Sequence, residues 1–278
     1  MNGILRLGVL LMALTVTFSA YGQRKPRIKG NRKVVSVEQP LPSFRHLVLS
    51  DGLTLRLQPG SAEAVRIEAD ENLIDILRFE VEGDTLKVGS FYRITGSKQL
   101  GLTLVFSTLE SIRVGQGELA MEETLEADFL KIDLEEDARA GLPIRAGLLD
   151  LQLKDNAAVD LRVTADSLHV DLGGRTDSRI YSEGGPVDLS MTGQASLDLE
   201  GSSPSLTLSM TDNSRLLAQG MQAEKAMAFL NSGALARLQA DTSLSYEGRG
   251  NARLFVYGQP QIRILGFYDR AELHKEPE

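Results

Sequence analysis

From Phe44 onward apolar and polar residues alternate, in His46-Leu47-Val48-Leu49, Leu53-Thr54-Leu55-Arg56-Leu57 and Val65-Arg66-Ile67-Glu68-Ala69. A period of two marks a strand with one buried face. Asp51-Gly52 and Pro59-Gly60-Ser61 supply turn residues between the runs, as hairpin connections require. Two further strands, Phe79–Glu82 and Thr85–Val88, flank Gly83-Asp84, and Leu100–Phe106 adds another. Asp70-Glu71-Asn72 followed by Leu73–Leu77 reads as one short helix or turn. Residues 43–108 are thus predicted to form a strand meander. Long amphipathic helices do not alternate with these strands, which excludes βαβ nucleotide-binding folds.

Beyond residue 109 the alternation is organised into a repeat: two spacer residues, a small residue, any residue, then usually an apolar one. The small residues fall at 117, 138, 157, 178, 195, 214, 236 and 252, an average spacing of about 19, within the range of stacked repeats. A strand precedes each motif, with inward sets such as Leu149/Leu151/Leu153, Leu168/Val170/Leu172 and Leu206/Leu208/Met210. Two short strands with their turns fill one coil of a solenoid. A single coil would expose its apolar face and its backbone edges, so the coils must stack. The prediction for 109–262 is a β-solenoid with ~19-residue coils. Just before the small residue stand Gln116, Asp137, Asn156, Asp177, Gln194, Asn213 and Asn251. Asn, Asp and Gly suit tight corners because they tolerate left-handed backbone, so the column reads as structural. Only two of the seven are Asp, which excludes a calcium column.

Composition narrows the chemistry. The 278 residues include no Cys, no Trp and three His, His46, His169 and His274. Disulfides, thiolate nucleophiles and Cys-ligated zinc are excluded together. The N-terminus has Arg6, a largely apolar run from Leu7 to Phe18, and Ala20-Tyr21-Gly22 before Gln23. That order predicts a secretory signal peptide over 1–22. The expected mature chain is soluble, without a transmembrane helix, and periplasmic, surface-associated or secreted. Arg24, Lys25, Arg27, Lys29, Arg32 and Lys33 follow, and 23–42, closed by Pro40 and Pro42, reads as a basic, solvated linker. The whole chain carries −8. An acidic body repels phosphate backbones, so nucleic acid is not an expected partner.

Catalytic signatures are missing: no Gly-x-Ser-x-Gly, His-Glu-x-x-His or phosphate-binding glycine loop occurs. No cofactor is expected. Asp133, Asp171 and Asp188, on or near outward strand positions, are the carboxylates a β-helix enzyme acting on glycans would draw on. Arg139, Arg179, Arg215, Arg237 and Arg253 each follow a small residue. With the coils in register they would make an arginine stripe, interrupted at Ala158 and Ser196, suited to a polyanion. The competing reading is a solvated face with cross-strand ion pairs. His169 falls on an outward position. Phe255, Tyr257, Phe267 and Tyr268 are placed to cap the last coil, whose open edge invites aggregation.

Thr192-Gly193-Gln194-Ala195-Ser196, Asn231-Ser232-Gly233-Ala234 and the closing Tyr257-Gly258-Gln259-Pro260, with the lead-in Phe44 to Leu57, resemble the auto-transporter adhesin, head GIN domain family of Bacteroidetes. The resemblance spans about 43–262, leaving 263–278 as a tail, although Glu136, Asp155, Thr176 and Asp212 stand where the motif has Gly. It implies an all-β fold, a strand meander leading into a right-handed parallel β-helix-like solenoid, in a cell-envelope or secreted setting. It carries over no catalytic residue. The expected function is a non-catalytic binding or adhesion module for an envelope polymer, glycan or protein, with a glycan-acting enzyme or an envelope scaffold as alternatives.

Overall fold

The structure is a computed structural model and describes residues 25–277. The predicted signal peptide, 1–22, lies outside the described residues. Strands make up 67% of the described residues and helix 2%, and the body is a β-solenoid of about nine turns with ~19-residue coils.

The N-terminal part contains β1 (Arg27–Ile28), β2 (Val34–Pro40), β3 (His46–Leu49), β4 (Leu53–Pro59), β5 (Ala64–Asp70), α1 (Glu71–Ile74), β6 (Leu77–Glu82), β7 (Thr85–Ser90), β8 (Arg93–Ile94) and β9 (Leu100–Phe106). The solenoid continues with β10 (Ser111–Val114), β11 (Gly117–Ala120), β12 (Leu125–Leu134), β13 (Arg139–Leu153), β14 (Ala158–Leu172), β15 (Asp177–Gly184), β16 (Val187–Met191), β17 (Ser196–Met210), β18 (Arg215–Leu230) and β19 (Leu235–Gly248). It closes with β20 (Arg253–Tyr257), β21 (Gln261–Phe267) and β22 (Glu272–Lys275).

A full coil is one bent strand and one tight turn. In β13 the buried positions run Ala140, Leu142, Ile144, Ala146, then shift phase at the bend to Leu149, Leu151, Leu153. Each coil therefore has two arms whose apolar sides face each other. Parallel pairing stacks like on like: Leu130, Leu149, Leu168, Val187, Leu206, Ala226 and Leu244 form one inward column. Stacking at about 4.8 Å buries these side chains and satisfies the backbone of both neighbours.

The corners show where the sequence reading slipped. In register, the small buried column is Ala138, Ala157, Thr176, Ala195, Ser214, Ala234 and Ala252. The expected positions 178 and 236 thus lie two residues too late. A two-residue slip preserves inward and outward faces, so the strand phase was right where the corner was not. Left-handed backbone sits two residues before the small one, at Glu136, Asp155, Gly174, Gly193, Asp212, Ser232, Gly250 and Asp269, one position earlier than predicted. At Gly174 a Cβ would lie 2.7 Å from the Asp155 carbonyl oxygen, so the coil below leaves no room for a side chain. Hydrogen bonds continue between corners, as from the Asn213 N–H to the Gly193 carbonyl at 2.9 Å. Asp carboxylates join them: Asp212 accepts from the Gly193 N–H at 2.9 Å and Asp155 from the Glu136 N–H at 3.2 Å.

Three segments differ from expectation. The meander over 43–108 is partly solenoid already, because β3 pairs in parallel with β10 and β7, and β4 with β11 and β9. Among the described residues antiparallel pairing is confined to β2–β5, β5–β9 and β6–β7. The basic linker expected over 23–42 is folded in its described part: β1 pairs with β8, and β2 runs against β5 over seven residues. The tail from 263 carries most of a last coil, since β21 pairs with β19 and β22 with β20. The predicted short helix is α1.

Candidate functional site

The first arms of the coils form one outer face, and its outward residues align laterally. One row runs Glu38, Arg66, Thr103, Arg56, Ala120, Gly141, Asp160, Arg179, Asp198, Leu217, Arg237, Phe255, His274. At its centre two adjacent positions, Ala120 and Gly141, have almost no side chain. They separate Arg56 from Asp160 by three rungs, about 14 Å at sheet spacing. Small outward residues between long ones leave a furrow. On the side toward β2 it encloses about 680 Å³, bounded by Ser36, Glu38, Arg66, Glu68, Thr103 and Ala120. On the other side it continues past Gly141 along Asp160, Arg162, Arg179 and Tyr181, with about 540 Å³.

Charges of both signs line the walls. Arg66 donates to Gln58 Oε1 at 3.0 Å and stands 3.6 Å from Glu38. Arg179 stands 3.9 Å from Asp198. Arg56 and Arg139 take part in no ion pair among the described residues. The Tyr181 hydroxyl donates to Glu183 at 2.5 Å, and that bond to a carboxylate raises its pKa above the ordinary tyrosine value. The furrow thus offers fixed donors and acceptors without a dominant sign of charge.

The five arginines of the expected stripe divide between two rows. Arg139, Arg215 and Arg253 share a row with Glu118, Ala158, Asp177, Ser196, Leu235 and Glu272. Arg179 and Arg237 lie two positions further along their strands, in the row that crosses the furrow. The two-residue slip at the corners is the reason: what seemed one stripe is two, each interleaved with carboxylates. Asp133, Asp171 and Asp188 lie on the outer face of the opposite arms, away from the furrow. Asp133 is ion-paired with Arg113 at 3.4 Å and lies 3.7 Å from Lys131. His169 is on the surface as expected, 3.4 Å from Asp188, and with Asp171 they line a shallow hollow. Among the described residues no cluster of three His, Asp or Glu side chains could hold a metal.

The furrow itself was not anticipated. Its signal was in the sequence, as Gly101, Ala120, Gly141 and Ala158 at outward positions where strands otherwise carry polar side chains. Among the described residues no helix is long and apolar enough to cross a membrane.

Residues 43–182 and 178–260 match the family described as "Putative auto-transporter adhesin, head GIN domain". The fold resembles a crystal structure described as a putative adhesin from Parabacteroides merdae ATCC 43184, with a TM-score of 0.67, 16% identity, and 90% of this chain and 99% of that one covered. It resembles a putative adhesin from Parabacteroides distasonis ATCC 8503 at TM-score 0.68 and 15% identity, covering 90% and 100%. A structure described as a putative lipid binding protein from the same organism matches at TM-score 0.61 and 18% identity, covering 90% and 99%. No curated protein matches the chain.

Proposed function

The chain belongs to the auto-transporter adhesin, head GIN domain family, and from that premise we propose that it is an exported, non-catalytic module of the cell envelope that binds an extended glycan along its outer furrow. The observation that carries this reading is the adjacent pair of small outward residues, Ala120 and Gly141, between polar walls, with Gly101 and Ala158 in the neighbouring row. A furrow that crosses several rungs suits a chain-like partner. Walls of mixed charge with Thr54 and Thr103 between them favour hydrogen bonding to neutral hydroxyls over capture of a polyanion. Export is supported by the order of residues 1–22.

A panel of neutral and acidic glycans tests the reading, with a blocked furrow as the control. A Cβ on Gly141 would have only the Asp160 carbonyl oxygen near it, at 4.0 Å, and the glycine φ is not positive. Gly141→Trp therefore leaves the coil intact while filling the furrow. The expected result is binding of a neutral glycan, lost in Gly141→Trp, with no shortened products. Release of shortened products would show an enzyme, and unchanged binding by Gly141→Trp would place the site elsewhere.

A further inference from the structure

The basic arm is a built part of the molecule, and the way it is built concentrates its charge. Residues 25–33 and 91–98 contain Lys25, Arg27, Lys29, Arg32, Lys33, Arg93 and Lys98 and no Asp or Glu, in a chain whose net charge is −8. They are held together as a flap at the N-terminal end of the solenoid. The Arg93 N–H donates to the Pro26 carbonyl at 2.8 Å, the Thr95 N–H to Ile28 at 2.9 Å and the Gly30 N–H to Gly96 at 2.8 Å.

The β1–β8 ladder sets Arg27 directly beside Arg93 and Ile28 beside Ile94. Neighbours in a ladder share a face, so the isoleucines make one side, with Ile94 against the core, and the two arginines make the other. Like charges in adjacent positions repel, so the free flap is stabilised by whatever anion covers it. Two of the seven cations have partners: Lys25 is ion-paired with Asp51 at 2.5 Å, and Lys33 lies 3.9 Å from Glu71. Arg27, Lys29, Arg32, Arg93 and Lys98 take part in no ion pair among the described residues. Asp70, a further carboxylate at the flap, is fully buried, accepts from the backbone N–H groups of Arg32 and Lys98, and is close enough to the Lys98 ammonium to feel its charge. Beside this cluster Phe91 and Tyr92 are 53% and 38% exposed.

We propose that this flap docks the protein on an anionic lipid bilayer. Cations next to exposed aromatic rings match both layers of a membrane surface, the anionic headgroups and the apolar boundary beneath them. A soluble polyanion would use the charges and leave Phe91 idle. The acidic remainder of the chain is repelled from the same surface and so orients the molecule with the flap down. About nine coils at ~4.8 Å then rise roughly 43 Å from the bilayer, with the furrow along the side.

Co-sedimentation of the full chain with vesicles tests this, comparing phosphatidylcholine alone with a mixture containing about one-third phosphatidylglycerol. Expected is at least tenfold more binding to the anionic vesicles at ~0.1 M salt, falling steeply as salt rises. Lys29→Glu and Arg93→Glu should each lower it severalfold, and Phe91→Ala should weaken it with the charge unchanged. Lys29 is exposed and outside the β1–β8 register, so its variant keeps the test valid if Arg93→Glu unfolds the flap. No vesicle binding, equal binding to neutral vesicles, or binding to soluble polyglutamate that Phe91→Ala leaves unchanged would each overturn the proposal.

Discussion

The two ends of the solenoid solve the same physical problem in opposite ways. A stack of parallel coils has no intrinsic stopping point, because its last coil presents an apolar interior and unpaired backbone groups. At the N-terminal end the pairing changes direction. β6 runs antiparallel along β7, and β5 and β2 run antiparallel beyond β9. These covering strands carry Arg78, Glu80 and Glu82, or end at Pro40, features that discourage further pairing. At the C-terminal end nothing among the described residues lies beyond β21 and β22. Ile262, Ile264, Leu265 and Phe267 are 37–45% exposed there. That end is blunted instead. The register of β21 slips at Tyr246/Glu247, leaving Leu265 unpaired, and β22 has four residues. Phe255 stacks on His274 with centroids 4.8 Å apart, and Arg249 lies over Tyr268 at 4.7 Å. One end is covered, the other is made a poor template. Both block growth, but only the first adds buried core.

The contrast is sharpest at matched inward positions. Leu86 lies on the outermost parallel strand of the N-terminal end and is fully buried beneath β6, whereas Ile264 lies on the outermost strand of the other end and is 45% exposed. Leu86→Ala should cost roughly 2–5 kcal/mol, like the interior Leu208→Ala. Ile264→Ala should cost under about 1 kcal/mol, in line with its partial burial. Urea unfolding midpoints measure all three. Thr207→Ala, one residue from Leu208 but outward, should change stability by less than about 0.5 kcal/mol. Equal losses for Leu86 and Ile264 would mean that the ends are not differently closed.

Next in size is an effect confined to the open end. Ala226 and Ala228 leave its core thin, and Tyr246 fills the space: it is fully buried, meets Phe267 edge-on at 5.5 Å, and donates to the Glu272 carbonyl at 3.2 Å. A Cβ on Gly248 would lie within 2.3 Å of its hydroxyl oxygen, so that glycine is part of the same arrangement. Burial pushes the Tyr246 hydroxyl up to about 12 from 10.0, with the nearby Glu272 carboxylate adding to it. A raised folded value means that the stability linked to the neutral hydroxyl is intact below pH 10 and is lost as pH rises toward 12. The loss should be of order 2 kcal/mol. A melting series from pH 9 to 12 should show a drop that Tyr246→Phe removes, and a drop unchanged in the variant would refute the assignment.

How much of this was written in the sequence depends on how local the signal is. Strand phase was legible throughout, because alternation such as Leu206/Leu208/Met210 needs only neighbours two apart. The coil length was legible too, as an average. The corners at 176 and 234 were not, because Ser178 and Ala236 fit the motif as well as Thr176 and Ala234 do, and only pairing across coils decides. That ambiguity made five arginines look like one stripe. Pairing between distant segments was equally hidden: nothing near Arg27 indicates Arg93, and nothing near His46 indicates Ser111. The furrow lay between these cases, since each of its small residues is visible but their alignment requires the register.

The smallest expected effect belongs to the covered end and concerns one carboxylate. Asp70 is buried, which opposes its ionisation, yet it accepts from the backbone N–H groups of Lys98 at 3.0 Å, Arg32 at 3.2 Å and Gln99 at 3.3 Å. These bonds outweigh burial and hold its pKa below the ordinary 3.8. Gly30 is required beside it, because a Cβ there would fall 1.8 Å from the carboxylate oxygen. Asp70 thus ties the arm at 30–32 to the 98–99 loop. With the folded value depressed, this tie is complete above pH 3.8 and weakens as pH falls through the lower folded value, since the detached arm takes up the proton first. The core columns do not pass through Asp70, so detachment should be local. Amide exchange at Arg32, Lys98 and Gln99 should accelerate relative to the solenoid core as pH falls below 4. Asp70→Asn should show fast exchange at those sites even at neutral pH, with the core's melting temperature nearly unchanged. If acid left the three amides protected while the core melted, the arm would be part of the solenoid's cooperative unit, and the covered end would owe its closure to β2 and β6 alone.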